Sequence, residues 1–231
     1  MTLTEAKVVS IESLTPFVTK ICLQPTHIAP FKAGQYLQVV MQENDKRPFS
    51  IANSPEAGEP LELHIGATPE NAYAYEVLEN AKNSGVLTLE VGLGDAYARE
   101  SDAPMIIIAG GTGYSYAKSI LHHTLAVEPG RDVCLYWGAK TLEDLYDHDE
   151  LTALSNFNSK FTFIPVVESP NDSWQGKTGW VHKAVLDDHA NLSQFHVYVA
   201  GRFEMAAAVK KDFLPKGIEP DTLFGDAFAY I

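Results

Sequence analysis

The sequence predicts an α+β protein of two domains: an N-terminal antiparallel β-barrel, then a C-terminal α/β domain built on a parallel sheet. Three observations carry this. Short apolar stretches recur through the first hundred residues, separated by Pro, Gly and Asn, with one helical stretch among them. After a polar link ending in Pro104 the rhythm changes to alternating strands and helices. The first strand of that second half, residues 105–109, is continuously aliphatic, as a strand covered on both faces is.

In order, strands are expected at residues 6–11, 18–23, 36–41, 61–65 and 86–91. The stretch LELHI at 61–65 alternates apolar and polar side chains, as a strand with one wet face does. Residues 72–83 read as the one helix of this half. Arg47, Pro48, Phe49 and Ser50 follow the third strand. Pro48 fixes φ and removes a donor, so the segment reads as a stiff edge strand with Arg47 at the surface. In the second half, a glycine-rich turn after residue 109 leads into a helix over 114–126. Residues 133–137 form a strand, and Thr141 with Asp144 looks like a capping box opening a helix that runs to 154. Strand 161–167, helix 181–187, strand 196–200 and helix 204–213 complete the alternation. The change of pattern sets domains at 1–101 and 102–231.

Composition excludes several function classes. The 231 residues carry 17 Lys and Arg against 30 Asp and Glu, a net charge of −13. The surplus is even, with 7 basic and 14 acidic side chains in residues 1–102. A nucleic-acid partner needs a basic face, and none is offered. The opening MTLTEAKVV has neither a basic n-region nor a long apolar h-region, so no signal peptide is expected. The longest aliphatic run falls far short of the about 20 residues of a membrane span, so no membrane partner is expected either. Cys22 and Cys134 lie in apolar stretches without a CxxC and read as two buried, reduced thiols of a cytoplasmic protein. Two cysteines cannot supply the four thiolates of an iron–sulfur cluster. No metal site is expected: His122 and His123 lack an HExxH spacing, and the acidic run from Asp144 to Glu150 lacks that of an EF-hand.

The turn Gly110, Gly111, Thr112, Gly113 sits between a buried strand and a helix. Glycines there permit close backbone approach, and the helix N-terminus offers unpaired N–H groups to an anion. A pyrophosphate or a nicotinamide suits the place. The dinucleotide fingerprint GxGxxG fits in part, because Tyr116 takes its third position, and the P-loop fails at Thr112 and Ala117. No acid follows the second strand in Trp137, Gly138, Ala139, Lys140, so a strict preference for NAD is not predicted. Trp174 and Trp180, beside Gly176 and Gly179, read as a packed loop near the nucleotide. No serine lies in GxSxG and neither cysteine has a catalytic partner in sequence, which leaves nucleophilic catalysis without support.

Taken in order, FKAGQYL at 31–37, RPFS at 47–50, GGTG at 110–113, YWG at 136–138, AGR at 200–202 and FGDAF at 224–228 resemble the ferredoxin–NADP reductase superfamily. More closely, the set is similar to the bacterial NAD(P)H–flavin reductases, which include suppliers of reduced flavin to luciferase. The resemblance spans the whole chain. It implies a flavin-binding barrel followed by a nicotinamide-nucleotide domain. It implies that Arg47, Pro48, Phe49 and Ser50 line the isoalloxazine, with Ser50 near flavin N5, and that Tyr36, His64, Ile65 and Gly66 lie nearby. Gly110, Gly111, Thr112, Gly113 and Tyr114 would face the nicotinamide nucleotide, together with Trp137, Gly138, Gly201 and Arg202. Phe228 would approach the rings. His64 also reads as a structural histidine with satisfied nitrogens.

Departures refine the picture. Ala200 stands before Gly201 where the larger family usually has cysteine, and the chain ends in Ile231 rather than a capping tyrosine. No segment for the adenosine half of FAD is evident. The resemblance therefore implies riboflavin, FMN or FAD held as a diffusible substrate, reduced by hydride from NAD(P)H, with Ser50 as the catalytic residue. Reduced flavin would pass to a downstream monooxygenase or luciferase. The alternatives are an electron-transfer reductase with tightly bound FAD serving a protein partner, and a non-catalytic nucleotide sensor.

Overall fold

The computed structural model describes residues 2–27, 30–68 and 72–231. The N-terminal sheet has six strands, β1 (Thr2–Ser13), β2 (Val18–Pro25), β3 (Tyr36–Gln42), β4 (Asp45–Ser50), β5 (Leu61–Gly66) and β6 (Val86–Leu93). All pairings are antiparallel, in the order β4-β3-β6-β1-β2-β5. The sheet curls until its two edges meet, and the Ala52 N–H donates to the Glu62 carbonyl at 2.7 Å. Alternation decides what goes inside: Ile21 and Leu23, Leu37 and Val39, Leu61, Leu63 and Ile65, and Leu87, Leu89 and Val91 fill one core. Helix α1 (Ala72–Ser84) adds Ala74, Val77, Leu78 and Ala81 to that core, the i, i+3, i+4, i+7 stripe of an amphipathic helix. Pro48 sits in β4, the sheet edge, where its missing N–H costs no ladder bond.

The second sheet is parallel. Its elements are β7 (Met105–Gly110), α2 (Tyr114–Val127), β8 (Val133–Ala139), α3 (His148–Phe157), β9 (Phe161–Val167), β10 (Lys177–Thr178), α4 (Val181–Asp188), β11 (His196–Ala200), α5 (Phe203–Phe213) and β12 (Leu223–Phe224). The order β10-β9-β8-β7-β11-β12 reverses direction between β7 and β11. A crevice at the carboxyl ends of such strands is where ligands bind in open α/β sheets. Ile107 and Ala109 face α2 and α3, while Ile106 and Ile108 face α4 and α5.

Three expectations need correction. The helix expected over 141–154 is two pieces. The capping box of Thr141 and Asp144 is present, but it closes a single tight turn. The chain then leaves helical geometry at Leu145, whose buried side chain joins the core, and α3 starts at His148. The break lets Tyr146 turn inward to the barrel. Second, both thiols are free but half-buried. Cys22 lies between the inward-facing Ile21 and Leu23 and so points away from the barrel core. Third, Arg47 is 7% exposed, not a surface group.

Polar contacts hold the two sheets together. Ser119 Oγ of α2 donates to the Asn53 carbonyl at 2.9 Å and accepts the Gly34 N–H at 3.3 Å. Tyr116 donates to the Ala96 carbonyl at 2.5 Å, and Tyr198 accepts the Arg99 N–H at 2.8 Å.

Candidate active site

A cleft of about 1250 Å³ runs between the open end of the barrel and the carboxyl ends of β7, β8 and β11. Its barrel wall is made of side chains from β4 and of the chain at the end of β5. Pro48, Phe49 and Ser50 come from the end of β4, and His64 and Gly66 from the end of β5. Phe17 reaches it from the turn before β2, which Thr15 Oγ1 stiffens by accepting the N–H groups of Phe17 and Val18 at 3.1 and 3.0 Å. The opposite wall is made of backbone. Gly110, Gly111, Thr112 and Gly113 form the turn between β7 and α2, with Gly138 at the end of β8 and Gly201 and Arg202 beyond β11.

Two of these glycines are required. Gly111 has φ of +52°, the left-handed region. A Cβ at Gly113 would run into the Ala200 carbonyl, so the turn and the end of β11 could not close together. The turn also touches the barrel: a Cβ placed on Gly66 would lie 2.9 Å from Thr112 Cγ2.

Trp137 and Tyr114 lie behind the turn, not in the cleft. The Trp137 indole N–H donates to the Gly111 carbonyl at 2.9 Å, and its ring stacks on Tyr114 at 3.9 Å and 12°. Both are almost completely buried, so their part is to fix the turn. Ile65 belongs to the barrel core. The ring of Tyr36, opposite Ser50 in the β3–β4 register, lies against Gly94. Burial and the nearby Asp226 push its phenol pKa up. Arg47 points away from the cleft. Its guanidinium holds both oxygens of Asp45 at 2.9 and 2.6 Å, Glu76 at 2.7 Å and the Tyr73 carbonyl at 2.5 Å. Those acids and the carbonyl take up four of its five N–H donors and turn it from the cleft, so the Arg47 side chain is no phosphate clamp. Phe228 also turns away. It packs against the core under α4 and α5 and covers Gly225, while its neighbours Asp226 and Ala227 line the cleft.

His64 is satisfied on both nitrogens. Nδ1 meets Tyr146 Oη at 2.9 Å and Nε2 meets Glu62 at 2.7 Å. Glu62 also accepts from Lys118 Nζ at 2.9 Å, and Lys118 lies 3.4 Å from Asp147. Burial pushes the Glu62 carboxyl up, yet the His64 hydrogen bond and the Lys118 charge outweigh it and hold the pKa at about 2. This network ties β5 of the barrel to α2 and the 145–147 bend. Asp226 goes the other way. Burial raises its pKa to about 6, against a hydrogen bond from the Ala96 backbone.

Sequence reasoning missed Phe17, Ser115, Tyr146, Glu168 and Asp226, all on the cleft. Asp226 stood inside a quoted motif. Tyr146 had a weaker signal, an acid-rich stretch with poor helix periodicity after the capping box. Of the two tryptophans, Trp180 lines the cleft and stacks on His182, while Trp174 packs on the core of the second sheet. Among the described residues no three His, Cys, Asp or Glu side chains converge on a metal position, and no helix is long and apolar enough to cross a membrane.

Comparison with known proteins fits this geometry. Residues 107–211 match the oxidoreductase NAD-binding domain. The chain is 47% identical to an NAD(P)H-flavin reductase of Aliivibrio fischeri, over 97% of this chain and 98% of that one. It is 45% identical to an NAD(P)H-flavin reductase of Vibrio harveyi, over 98% and 99%. Among solved structures, the ferredoxin reductase in carbazole 1,9a-dioxygenase superposes with a TM-score of 0.83 at 28% identity, over 98% of this chain and 69% of that one. The Amycolatopsis cytochrome P450 reductase GcoB gives 0.88 at 25%, over 97% and 69%. Identity at this level over nearly full length, on a two-sheet fold with a glycine turn at its switch point, settles the family: the chain belongs to the NAD(P)H-flavin reductases of the ferredoxin–NADP reductase superfamily.

Proposed function

We propose that the protein is an NAD(P)H:flavin oxidoreductase that takes flavin as a diffusible substrate and releases it reduced. The observation that carries this is the meeting of two unlike walls. Side chains of β4 and the end of β5 face a backbone turn at a topological switch point, and the walls touch at Gly66 and Thr112. Such a cleft suits two stacked rings, one against Pro48, Phe49 and Ser50, the other over the glycine turn. Bound together, the rings supply hydride transfer from nicotinamide C4 to flavin N5.

The chain's part is position. Ser50 Oγ holds the flavin edge by one hydrogen bond, and Pro48 keeps its strand stiff. The glycine turn, pinned by Trp137, lets the nicotinamide come within reacting distance. Asp226, half-protonated near pH 6, can hold a proton at the cleft wall.

The flavin side carries no Lys or Arg among the described residues that line it, since Arg47 is engaged by Asp45 and Glu76. A flavin tail therefore meets no cation there, and riboflavin is proposed to bind at least as well as FMN. The nucleotide side offers Lys140 and Arg202. With only two cysteines in the chain, the electrons leave on flavin rather than through a resident four-cysteine cluster. A flavin-dependent monooxygenase or luciferase is the proposed consumer, reached by diffusion. The two free thiols suit a reducing compartment, proposed to be the cytoplasm.

The test is direct. Protein dialysed until colourless is expected to oxidise NADH only when riboflavin is added. Protein that stays yellow and passes electrons only to a protein acceptor would replace this reading with a prosthetic-group reductase.

A further inference from the structure

The two walls of the cleft belong to different domains, so contacts between the domains fix the distance between the walls. Strand β5 supplies such contacts with every second residue. Leu61, Leu63 and Ile65 fill the barrel core, and the alternation turns Glu62, His64 and Gly66 out toward the second domain. Each of the three meets a partner there. Gly66 lies against Thr112 of the glycine turn, His64 Nδ1 meets Tyr146 Oη at 2.9 Å, and Glu62 accepts from Lys118 Nζ at 2.9 Å. From Glu62 to Gly66 the strand covers about 13 Å, four steps of about 3.3 Å, so the domains are tied along a line rather than at a point.

Lys118 carries the charge of this seam. Its side chain is 18% exposed, and its ammonium stands between Glu62 of the barrel and Asp147 of the bend, at 2.9 and 3.4 Å. Burial works against the charged form, but the two carboxylates outweigh it and raise the lysine pKa, so the charge persists at neutral pH. Beside Asp147, Tyr146 packs edge-on to Trp137 and Tyr114, with ring centres 5.0 and 5.7 Å apart. Trp137 in turn holds the Gly111 carbonyl. Contacts therefore run unbroken from β5, through the lysine and the bend, to the glycine turn. Glu62 and Lys118 lie behind the cleft, while His64 and Tyr146, next to them, line it.

We propose that the Glu62–Lys118 ion pair sets the spacing of the two rings, which makes Lys118 a positioning residue for hydride transfer. The inference rests on the flavin-reductase reading. In the transfer the C4–H bond of the nicotinamide breaks and an N5–H bond of the flavin forms, so NADH is oxidised as the flavin is reduced. The rate of such a step falls steeply when the reacting atoms are held apart. Affinity for each ring is set by its own wall. Loosening the seam therefore slows the transfer and spares both affinities.

The experiment follows riboflavin reduction by NADH in a stopped-flow instrument, without oxygen and with both substrates saturating. Slowing by NADH deuterated at both C4 positions identifies the transfer step. In Lys118→Met that step is expected to slow roughly 10- to 100-fold, as for a misplacement of up to about 1 Å. The charge-transfer absorbance of the stacked rings is expected to fade with it, while the riboflavin dissociation constant and KM for NADH stay near wild type. Lys118→Arg keeps the charge and is expected to restore most of the rate. Losing the lysine leaves two buried carboxylates unpaired, which is costly. The double variant Lys118→Met with Glu62→Gln removes the tie with one such charge fewer, and it carries the test where the single variant does not fold. His123→Ala removes a more exposed ion pair across the domains, with Glu56, and is expected to transfer hydride at the wild-type rate. A folded methionine variant with unchanged transfer overturns the assignment. So does riboflavin binding that weakens as much as the rate, an arginine variant no faster than the methionine one, or equal slowing in His123→Ala. Wild type that does not reduce riboflavin removes the flavin-reductase reading itself; wild type that does, beside variants that match it, removes this inference alone.

Discussion

The two walls of the cleft are built by opposite means. The barrel wall presents side chains on a strand end, Pro48, Phe49 and Ser50, braced by neighbours within the sheet. The opposing wall presents bare backbone at its glycine turn, because Gly111 needs a left-handed φ and Gly113 lies against the Ala200 carbonyl, while Lys140, Trp180 and Arg202 add side chains to the same wall. A wall of side chains selects what it touches by shape and hydrogen bonding. A wall of glycines selects by how closely something flat can approach. Facing each other, they separate recognition of one ring from admission of the other.

If that division is right, the largest effect comes from thickening the bare wall. Gly113→Ala is expected to lower kcat/KM for NADH by roughly 100-fold, since a misplacement of about 1 Å costs that much, and to cost about 1–3 kcal/mol of stability through overpacking. Riboflavin binding should stay near wild type. Loss of riboflavin binding to the same degree would mean that the walls do not act separately.

On the other wall, Ser50→Ala removes one positioned hydrogen bond. Turnover at saturating NADH and riboflavin is expected to fall roughly 10- to 100-fold. Unchanged turnover would take Ser50 out of the mechanism.

Two carboxyls near the cleft also differ in their response to pH. The folded-state pKa of Glu62 is lowered to about 2, so the stability it contributes is full above its ordinary value of 4.5 and is lost as pH falls toward 2. Asp226 is raised to about 6 from 3.8, so its contribution is full below 3.8 and is lost as pH rises through 6. Urea melts across pH 3 to 7 should show Glu62→Gln flattening the acid limb and Asp226→Asn flattening the fall toward neutrality. The same slope in both variants would contradict the assigned environments.

The smallest effect concerns the flavin tail. With a net charge of −13 and no Lys or Arg lining the flavin side among the described residues, KM for riboflavin is expected to equal that for FMN or to lie a few-fold below it. A KM for FMN far lower than that for riboflavin would reveal a phosphate contact.

Much of this was legible in the sequence, for identifiable reasons. The change from spaced β stretches to strand–helix alternation after Pro104 announced two sheets, because burial on one face and on two faces leaves different patterns. The glycine turn announced itself because no other residue tolerates that path. What was not legible depended on long-range partners. Arg47 reads as a surface cation until Glu76, 29 residues on, comes back to it. Phe228 reads as a ring neighbour until Gly225 turns it into the helix layer. The bend at Leu145 is invisible locally, since the capping box before it is genuine and the pull on Tyr146 comes from His64, 82 residues away. Ser115 carries no sequence signal at all, because a buried hydroxyl with no hydrogen-bond partner among the described residues shows only in a folded chain.

The central claim is that both rings occupy one cleft at once, each on its own wall. Initial rates measured over a grid of NADH and riboflavin concentrations test it most directly. The account predicts a sequential pattern, double-reciprocal lines that converge as the second substrate is varied. Parallel lines would mean that NADH first delivers its hydride to a group held on the protein and leaves as NAD+ before riboflavin enters, and would contradict it.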